Sequence, residues 1–144
     1  MSLQGFHYEL PEGAAEIPKT DVRVAKTEML SAMVQVVNNG GETNLHAHNG
    51  EDAIWLVLNG EVAFYDGEDN RLHLKQHEFA FIPGGTKYWF ESVTDVPLEI
   101  VRVAAKDKVA GSTRSNFTER TRIERFGATP KLQAEEIPLT PALS

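Results

Sequence analysis

The chain has no cysteine among its 144 residues, which removes disulfides, thiolate metal ligands and a cysteine nucleophile at once. Imidazole and oxygen groups are left to carry any metal or acid–base chemistry, so the five histidines are the residues to account for. Also missing is a run of about 20 apolar residues, the length a membrane-spanning helix needs, so no membrane role is expected. The 14 lysines and arginines form no run or stripe, and 21 acidic residues leave a net charge of −7. The electrostatic footprint of a nucleic-acid binder is therefore absent. No basic and apolar leader opens the chain, so a cytoplasmic protein is expected. What is present is an ordinary globular composition, 41% hydrophobic and 24% charged, at a length that suits one hydrophobic core.

Helical periodicity is scarce. Short β-rich runs separated by turn residues fill residues 21–104, the spacing of a sandwich or barrel. Strands are expected over Asp21–Thr27, Ala32–Val37, Ala53–Leu58, Glu61–Tyr65, Arg71–Leu74, Glu78–Ile82, Lys87–Ser92 and Leu98–Ala104. Between them lie segments rich in Gly, Asn, Asp and Pro, of which Asn59-Gly60 is the strongest hairpin signal. Residues 1–20 and 105–144 hold five of the seven prolines without sustained periodicity, and read as N- and C-terminal arms around one barrel domain. Within the second arm, Thr118–Arg125 (TERTRIER) has the composition of a short helix, an added strand or a solvated segment.

Side chains along a strand alternate in direction, so His46 and His48 point to the same side and can present two imidazole nitrogens to one ion. The same alternation places Ala53, Trp55 and Val57 inward, puts Asp52 outward unless a bulge re-aims it, and gives Tyr88, Phe90 and Ser92 a common face. Trp55, Phe64, Phe79, Phe81, Trp89 and Phe90 are expected first as core aromatics, with Trp55 and Phe90 shaping any pocket. Leu98, Ile100 and Arg102 share a face whose direction the sequence leaves open; an inward Arg102 would suit a carboxylate. His73 and His77 are expected at the surface, and His7 has no partner visible in the sequence.

Two segments carry a family resemblance. Gly40–Gly60, GGETNLHAHNGEDAIWLVLNG, resembles the first cupin motif, with Gly40, His46, His48 and Gly60 in place. His77–Ser92, HEFAFIPGGTKYWFES, resembles the second, with Pro83 and Gly85 in place. The resemblance implies an all-β fold, a double-stranded β-helix (jelly-roll) barrel over residues 21–104. It also implies a metal site, yet Ala53 stands at the usual glutamate, Tyr88 at the usual histidine and Ser92 at the usual asparagine.

The expected metal ligands are His46, His48, Asp52 and Tyr88, with Glu51 as the other acidic candidate. Tyr88 would ligate as phenolate, its pKa drawn down by the ion. One divalent transition metal (iron, zinc, copper, nickel or manganese) suits such donors better than magnesium or calcium. The leading reading is a metal-dependent cupin acting on a small molecule as a dioxygenase, isomerase or lyase, with Tyr88 catalytic and Trp55, Phe90 and Ser92 against the substrate. The alternatives are a metal-free epimerase or isomerase using a His/Tyr acid–base pair, and a non-enzymatic small-molecule binder. A homodimer is expected, since the arms and sheet edges offer pairing surfaces.

Overall fold

The computed structural model describes residues 2–118 and 129–142, which form an all-β molecule of two packed sheets, a jelly-roll of the double-stranded β-helix type. In chain order the strands are β1 (Gly5–His7), β2 (Lys19–Lys26), β3 (Leu30–Val37), β4 (Gly41–Asn49), β5 (Glu51–Asn59), β6 (Val62–Asp66), β7 (Arg71–Leu74), β8 (Phe79–Ile82), β9 (Tyr88–Ser92), β10 (Leu98–Lys106), β11 (Thr113–Asn116), β12 (Lys131–Gln133) and β13 (Glu135–Ile137). One sheet runs β12-β2-β3-β10-β5-β8 and the facing sheet β11-β4-β9-β6-β7, while β1 and β13 pair separately. Among the described residues the only helical element is a single 3-10 turn at Ala14–Glu16, and no helix is long and apolar enough to cross a membrane.

Every strand expected from the turn and β-former pattern is present, but β4 was not resolved by that pattern. Its inward positions are Glu42, Asn44, His46 and His48, so it lacks the apolar alternation that reveals a half-buried strand. The expected hairpin at Asn59-Gly60 is not one: β5 and β6 lie in different sheets, and this turn carries the chain across the barrel. Glycine is needed at position 60 because φ is +76° and a Cβ would sit 2.7 Å from the Pro97 carbonyl of the neighbouring turn. The Asn59 side chain then donates to that same carbonyl at 3.0 Å.

The terminal arms contribute strands. β11 pairs antiparallel with β4, β12 pairs parallel with β2, and β1 pairs with β13. The boundaries expected at residues 20/21 and 104/105 fall inside β2 and β10. Thr118–Arg125 lies, beyond Thr118, outside the described residues.

Two apolar layers follow from period-two alternation. Trp55, Val57, Leu98, Ile100, Phe64 and Phe90 fill the space between the sheets. On the other side of the six-stranded sheet, Val22, Val34 and Val36 are covered by Phe6, Tyr8, Leu10, Leu132 and Ala134 from the arms. This outer covering stops short of the β5–β8 end. There Ile54, Phe79 and Phe81 remain exposed, with Ile54 directly opposite Phe81 and Leu56 opposite Phe79. Phe79 and Phe81 are thus not core aromatics: β8 turns Ala80 inward and its two rings outward. Trp89 is also off the core, stacked on Tyr65 at 4.0 Å between ring centroids.

The N-terminal arm is fastened by Tyr8, whose hydroxyl donates to Glu99 at 2.8 Å. Burial, then the Glu99 carboxylate, pushes the Tyr8 pKa up to about 12. The folded state holds this proton above the ordinary tyrosine pKa, so the contact's stabilisation is full below about pH 10 and lost as pH rises towards 12. Tyr8→Phe should cost about 1 kcal/mol at neutral pH. Urea titrations of both proteins should show that deficit shrinking between pH 10 and 12; a constant deficit would place the Tyr8 proton elsewhere.

Candidate functional site

β4 and β9 bring the polar groups into the barrel. His46 and Tyr88 are direct cross-strand partners, and their rings lie 4.3 Å apart. The His48 ring sits 5.2 Å from that of His46, edge to face, and 6.0 Å from that of Tyr88. His46 is wholly buried and His48 only partly, so the cluster approaches solvent on the His48 side. A short turn at Asn49-Gly50 then leads into β5. Gly50 has φ +79°, and a Cβ there would meet the Gly111 carbonyl at 2.3 Å, so this turn requires glycine.

β5 presents Glu51, Ala53, Trp55 and Val57 inward. Asp52 is therefore not brought to the site: it is exposed, and its carboxylate accepts a hydrogen bond from the Gly84 backbone at 2.8 Å. No bulge re-aims it, and the expectation of Asp52 as a metal ligand is corrected on that ground. Glu51 is the inward carboxylate of this strand, 3.8 Å from His48 Nδ1 and hydrogen-bonded to Arg102. The face shared by Leu98, Ile100 and Arg102 is the inner one, and the Arg102 guanidinium lies 5.6 Å from the centre of the Trp55 ring, its cross-strand partner. Trp55 and Phe90 are fully buried beside Tyr88, and Ser92 is half-buried at the end of the same face. His73 and His7 pair near the surface with Glu61 at 2.8 Å and Glu135 at 3.2 Å, and His77 is exposed in a turn with φ 68°.

Sequence reasoning missed Glu42. It sits on the inner face of β4 with its Oε2 3.3 Å from His46 Nε2. Its Oε1 accepts from Lys19 at 3.3 Å and from Gln35 at 3.5 Å. Lys19 also pairs with Asp21 at 3.4 Å, and Asp21 with Lys131 at 2.6 Å. Counting back by twos from His46 would have found Asn44 and Glu42. Nothing in the sequence pointed to Lys19, which lay in a segment read as an arm.

Burial alone would raise the Glu42 pKa, but the Lys19 ammonium, followed by His46 and Arg114, holds it well below the usual carboxylate range. The opposite happens to His48: burial, then repulsion from Arg102 and His46, takes it down to about 4, so its imidazole is neutral at pH 7. Burial and then the Glu42 charge push the Tyr88 hydroxyl upward, so in the protein alone it is a phenol and not a phenolate. His46 Nδ1 lies 2.8 Å from the Asn44 carbonyl, an acceptor only, so Nδ1 carries the proton and Nε2 the lone pair in the neutral ring. Nε2 of His46 and Oε2 of Glu42 face each other at 3.3 Å, an ion pair whenever the ring is protonated, with no aligned hydrogen bond between them, and the Tyr88 hydroxyl is buried without a hydrogen-bond partner. Among the described residues, no three side chains of His, Asp or Glu gather closely enough to enclose an ion by themselves.

Comparison with known proteins agrees with this architecture. The family model described as "Cupin domain" matches residues 33–104, half of the chain. No curated protein matches. Among solved structures, a conserved protein with a double-stranded β-helix domain from Klebsiella pneumoniae is similar, at 22% identity over 77% of this chain and 90% of that one, with a TM-score of 0.61. KdgF from a Halomonas species matches at 17% identity over 65% and 83%, with a TM-score of 0.56. A salicylate 1,2-dioxygenase from Pseudoaminobacter salicylatoxidans, in complex with gentisate, matches at 12% over 71% of this chain and 30% of that one, with a TM-score of 0.59. At these identities the likeness is one of fold.

The Lys19–Glu42 pair is a buried one, and removing a single partner strands the other charge, which costs about 3–5 kcal/mol. Lys19→Met should lose stability on that scale in urea unfolding. Lys131→Met removes a mostly exposed cation and should lose less than about 1 kcal/mol. Equal losses would mean that Lys19 does not neutralise Glu42.

Proposed function

The chain belongs to the cupin family, and from that premise we propose that its barrel holds one divalent transition-metal ion on His46 and His48 and acts on a small molecule as an oxidoreductase, isomerase or lyase. The observation that carries this reading is the bare Nε2 of His46. It is fully buried, it faces the Glu42 carboxylate at 3.3 Å without an aligned hydrogen bond, and the Nδ1 of the same ring is held by the Asn44 carbonyl. A buried imidazole lone pair without a donor is costly, and a cation relieves it. His48, neutral at pH 7, offers the second lone pair. The donor set of nitrogen and oxygen suits iron, zinc, copper, nickel or manganese, and His46 and His48 are the side chains that would hold the ion.

When bound, such an ion supplies Lewis-acid or redox chemistry to a substrate beside it. The chain's own groups do the rest. Tyr88, kept as a phenol by burial, donates a hydrogen bond or a proton to a substrate atom that gains negative charge. Trp55 and Phe90 form an apolar wall that excludes water, and Ser92 offers a hydroxyl at the end of their face. That the salicylate dioxygenase of similar fold is complexed with gentisate supports a small-molecule ligand. A metal-free reading draws on one observation, the 4.3 Å packing of His46 against Tyr88, which juxtaposes a base and an acid.

The two readings separate by elemental analysis. Protein purified without chelator and supplied with each of the five metals in turn should carry close to one equivalent of one of them, and His46→Ala should abolish it. Absence of every ion would leave the His46/Tyr88 acid–base pair or a metal-free binder.

A homodimer also belongs to this proposal. The six-stranded sheet is apolar on both faces, and its own arms cover only the β2–β3 side of the outer one. A second copy would cover the contiguous strip of Ile54, Phe79 and Phe81, a patch of the kind that marks an interface. Light scattering should give twice the chain mass, and Phe79→Asp with Phe81→Asp should give the monomer; a monomeric wild-type protein at micromolar concentration would discard the dimer.

A further inference from the structure

β7 and β8 are outermost strands of the two facing sheets, and on that side the barrel is not sealed. The gap between the layers opens there as a cleft of about 220 Å³, bounded by β6 and β7 on one side, by β8 on the other and by Thr86–Tyr88 at its end. Its floor is made by Phe64, Ala80 and Tyr88, all buried, with half-buried Ile82 beside them. We propose that this cleft is a binding site for a small organic anion, a monocarboxylate with a single apolar ring. The proposal names a ligand class for the small-molecule reading above and rests on that reading alone, since it requires no ion.

Size, wall and charge each select part of the ligand. An apolar cavity of about 150 Å³ admits benzene, whereas drug-sized ligands occupy about 300–1,000 Å³. A cleft of about 220 Å³ therefore accommodates one ring with a short polar substituent. The rings of Phe64 and Tyr88, 6.1 Å apart, make the floor a surface for a flat apolar body. The charge comes from the lip. Arg71 donates from Nε to the Tyr65 hydroxyl at 3.2 Å, which steadies the guanidinium, and among the described residues it has no carboxylate partner. Its remaining N–H donors match a carboxylate. Lys87 likewise has no carboxylate partner among the described residues; its stem lies against Gly67, and its ammonium is 4.3 Å from the centre of the Phe117 ring. The acidic residue at the lip, Asp66, is turned onto its own loop, where it accepts from the backbones of Glu68 and Asn70 and from the Asn70 side chain at 2.8–3.0 Å. Two exposed cations thus outweigh one carboxylate at this lip, on a chain whose net charge is −7.

Tyr88 ties the cleft to the interior of the barrel. Of the side chains gathered around His46 and His48, it alone lines the cleft, and its ring is 4.3 Å from the ring of His46. β9 lies between β4 and β6, so Tyr88 has His46 as its cross-strand partner on one side and Asp66, from the lip, on the other. A ligand on the floor is therefore one side chain away from the histidines. Phe81, at the outer lip, belongs also to the strip assigned above to a second copy; none of the groups that supply the floor or the charge lies in that strip.

The test is a titration of the full chain, stripped of metal, with benzoate, acetate and benzamide, followed by amide NMR shifts and by calorimetry. Benzoate should bind at one equivalent and move the amides of Arg71, Ala80 and Tyr88. Acetate, which lacks the ring, and benzamide, which lacks the charge, should each bind at least tenfold more weakly. Arg71→Gln, an exposed substitution, should weaken benzoate binding at least tenfold and leave benzamide binding as it was. Ala80→Leu, which fills the floor, should abolish benzoate binding in a protein whose thermal melt shows it folded; if that variant does not fold, Arg71→Gln decides. Equal binding of benzoate and benzamide, or shifts centred on His46 and His48 with the cleft amides silent, would overturn the assignment. So would the absence of benzoate binding at millimolar concentration. Because the protein is titrated without metal, the elemental analysis above decides the ion independently, and the two readings fail separately.

Discussion

A carboxylate inside an apolar barrel has to be neutralised, and the matching of Glu42 by Lys19 is the constraint around which the polar half of this molecule is arranged. Lys19 reaches the interior from β2, a strand that the N-terminal segment adds to the six-stranded sheet. Asp21, one alternation further along, shares the lysine and is itself answered by Lys131 from β12. Charges from both ends of the chain thus meet at one buried point. The arms are in this sense part of the site's support and not only its covering, since β2 and β12 deliver the cations.

The barrel interior divides into two chemical regions. Trp55, Val57, Phe64, Phe90, Leu98 and Ile100 form a dry end where burial of large side chains supplies the stabilisation. Glu42, Asn44, His46, His48, Glu51 and Arg102 form a polar end, in which each carboxylate is assigned a cation: Lys19 for Glu42 and Arg102 for Glu51. Tyr88 stands at the border, with its ring against His46, Trp55 and Phe64 and its hydroxyl unpartnered. Such a border is where a small molecule meets both an apolar wall and a few aimed polar groups.

The strand framework was legible because most strands here alternate apolar and polar residues and are separated by turn-forming ones. The same rule concealed β4, whose inner face is polar because it carries the site. His46 and His48 are legible through their own spacing, whereas Asp52 as a ligand depends on a bulge that would re-aim it, and β5 has none there. Alternation was the better guide: it sends Glu51 in and Asp52 out. Glu42 was recoverable by the same count, whereas its pairing with Lys19 spans 23 positions and belongs to the tertiary fold. Phe79 and Phe81 were misjudged by residue type, since aromatic character says nothing of which face of β8 they occupy.

The two tryptophans sit in unlike surroundings. Trp55 is sealed in the barrel beside Tyr88 and under the Arg102 guanidinium, while Trp89 lies half-buried on the outside, stacked on Tyr65. An indole in a dry cavity emits at shorter wavelength than one near water, and a charge or electron acceptor arriving nearby changes its yield. Nature has therefore built a fluorescent gauge into the wall of the barrel, with Trp89 as its steady background, so that occupancy of the interior can be followed by light without any label.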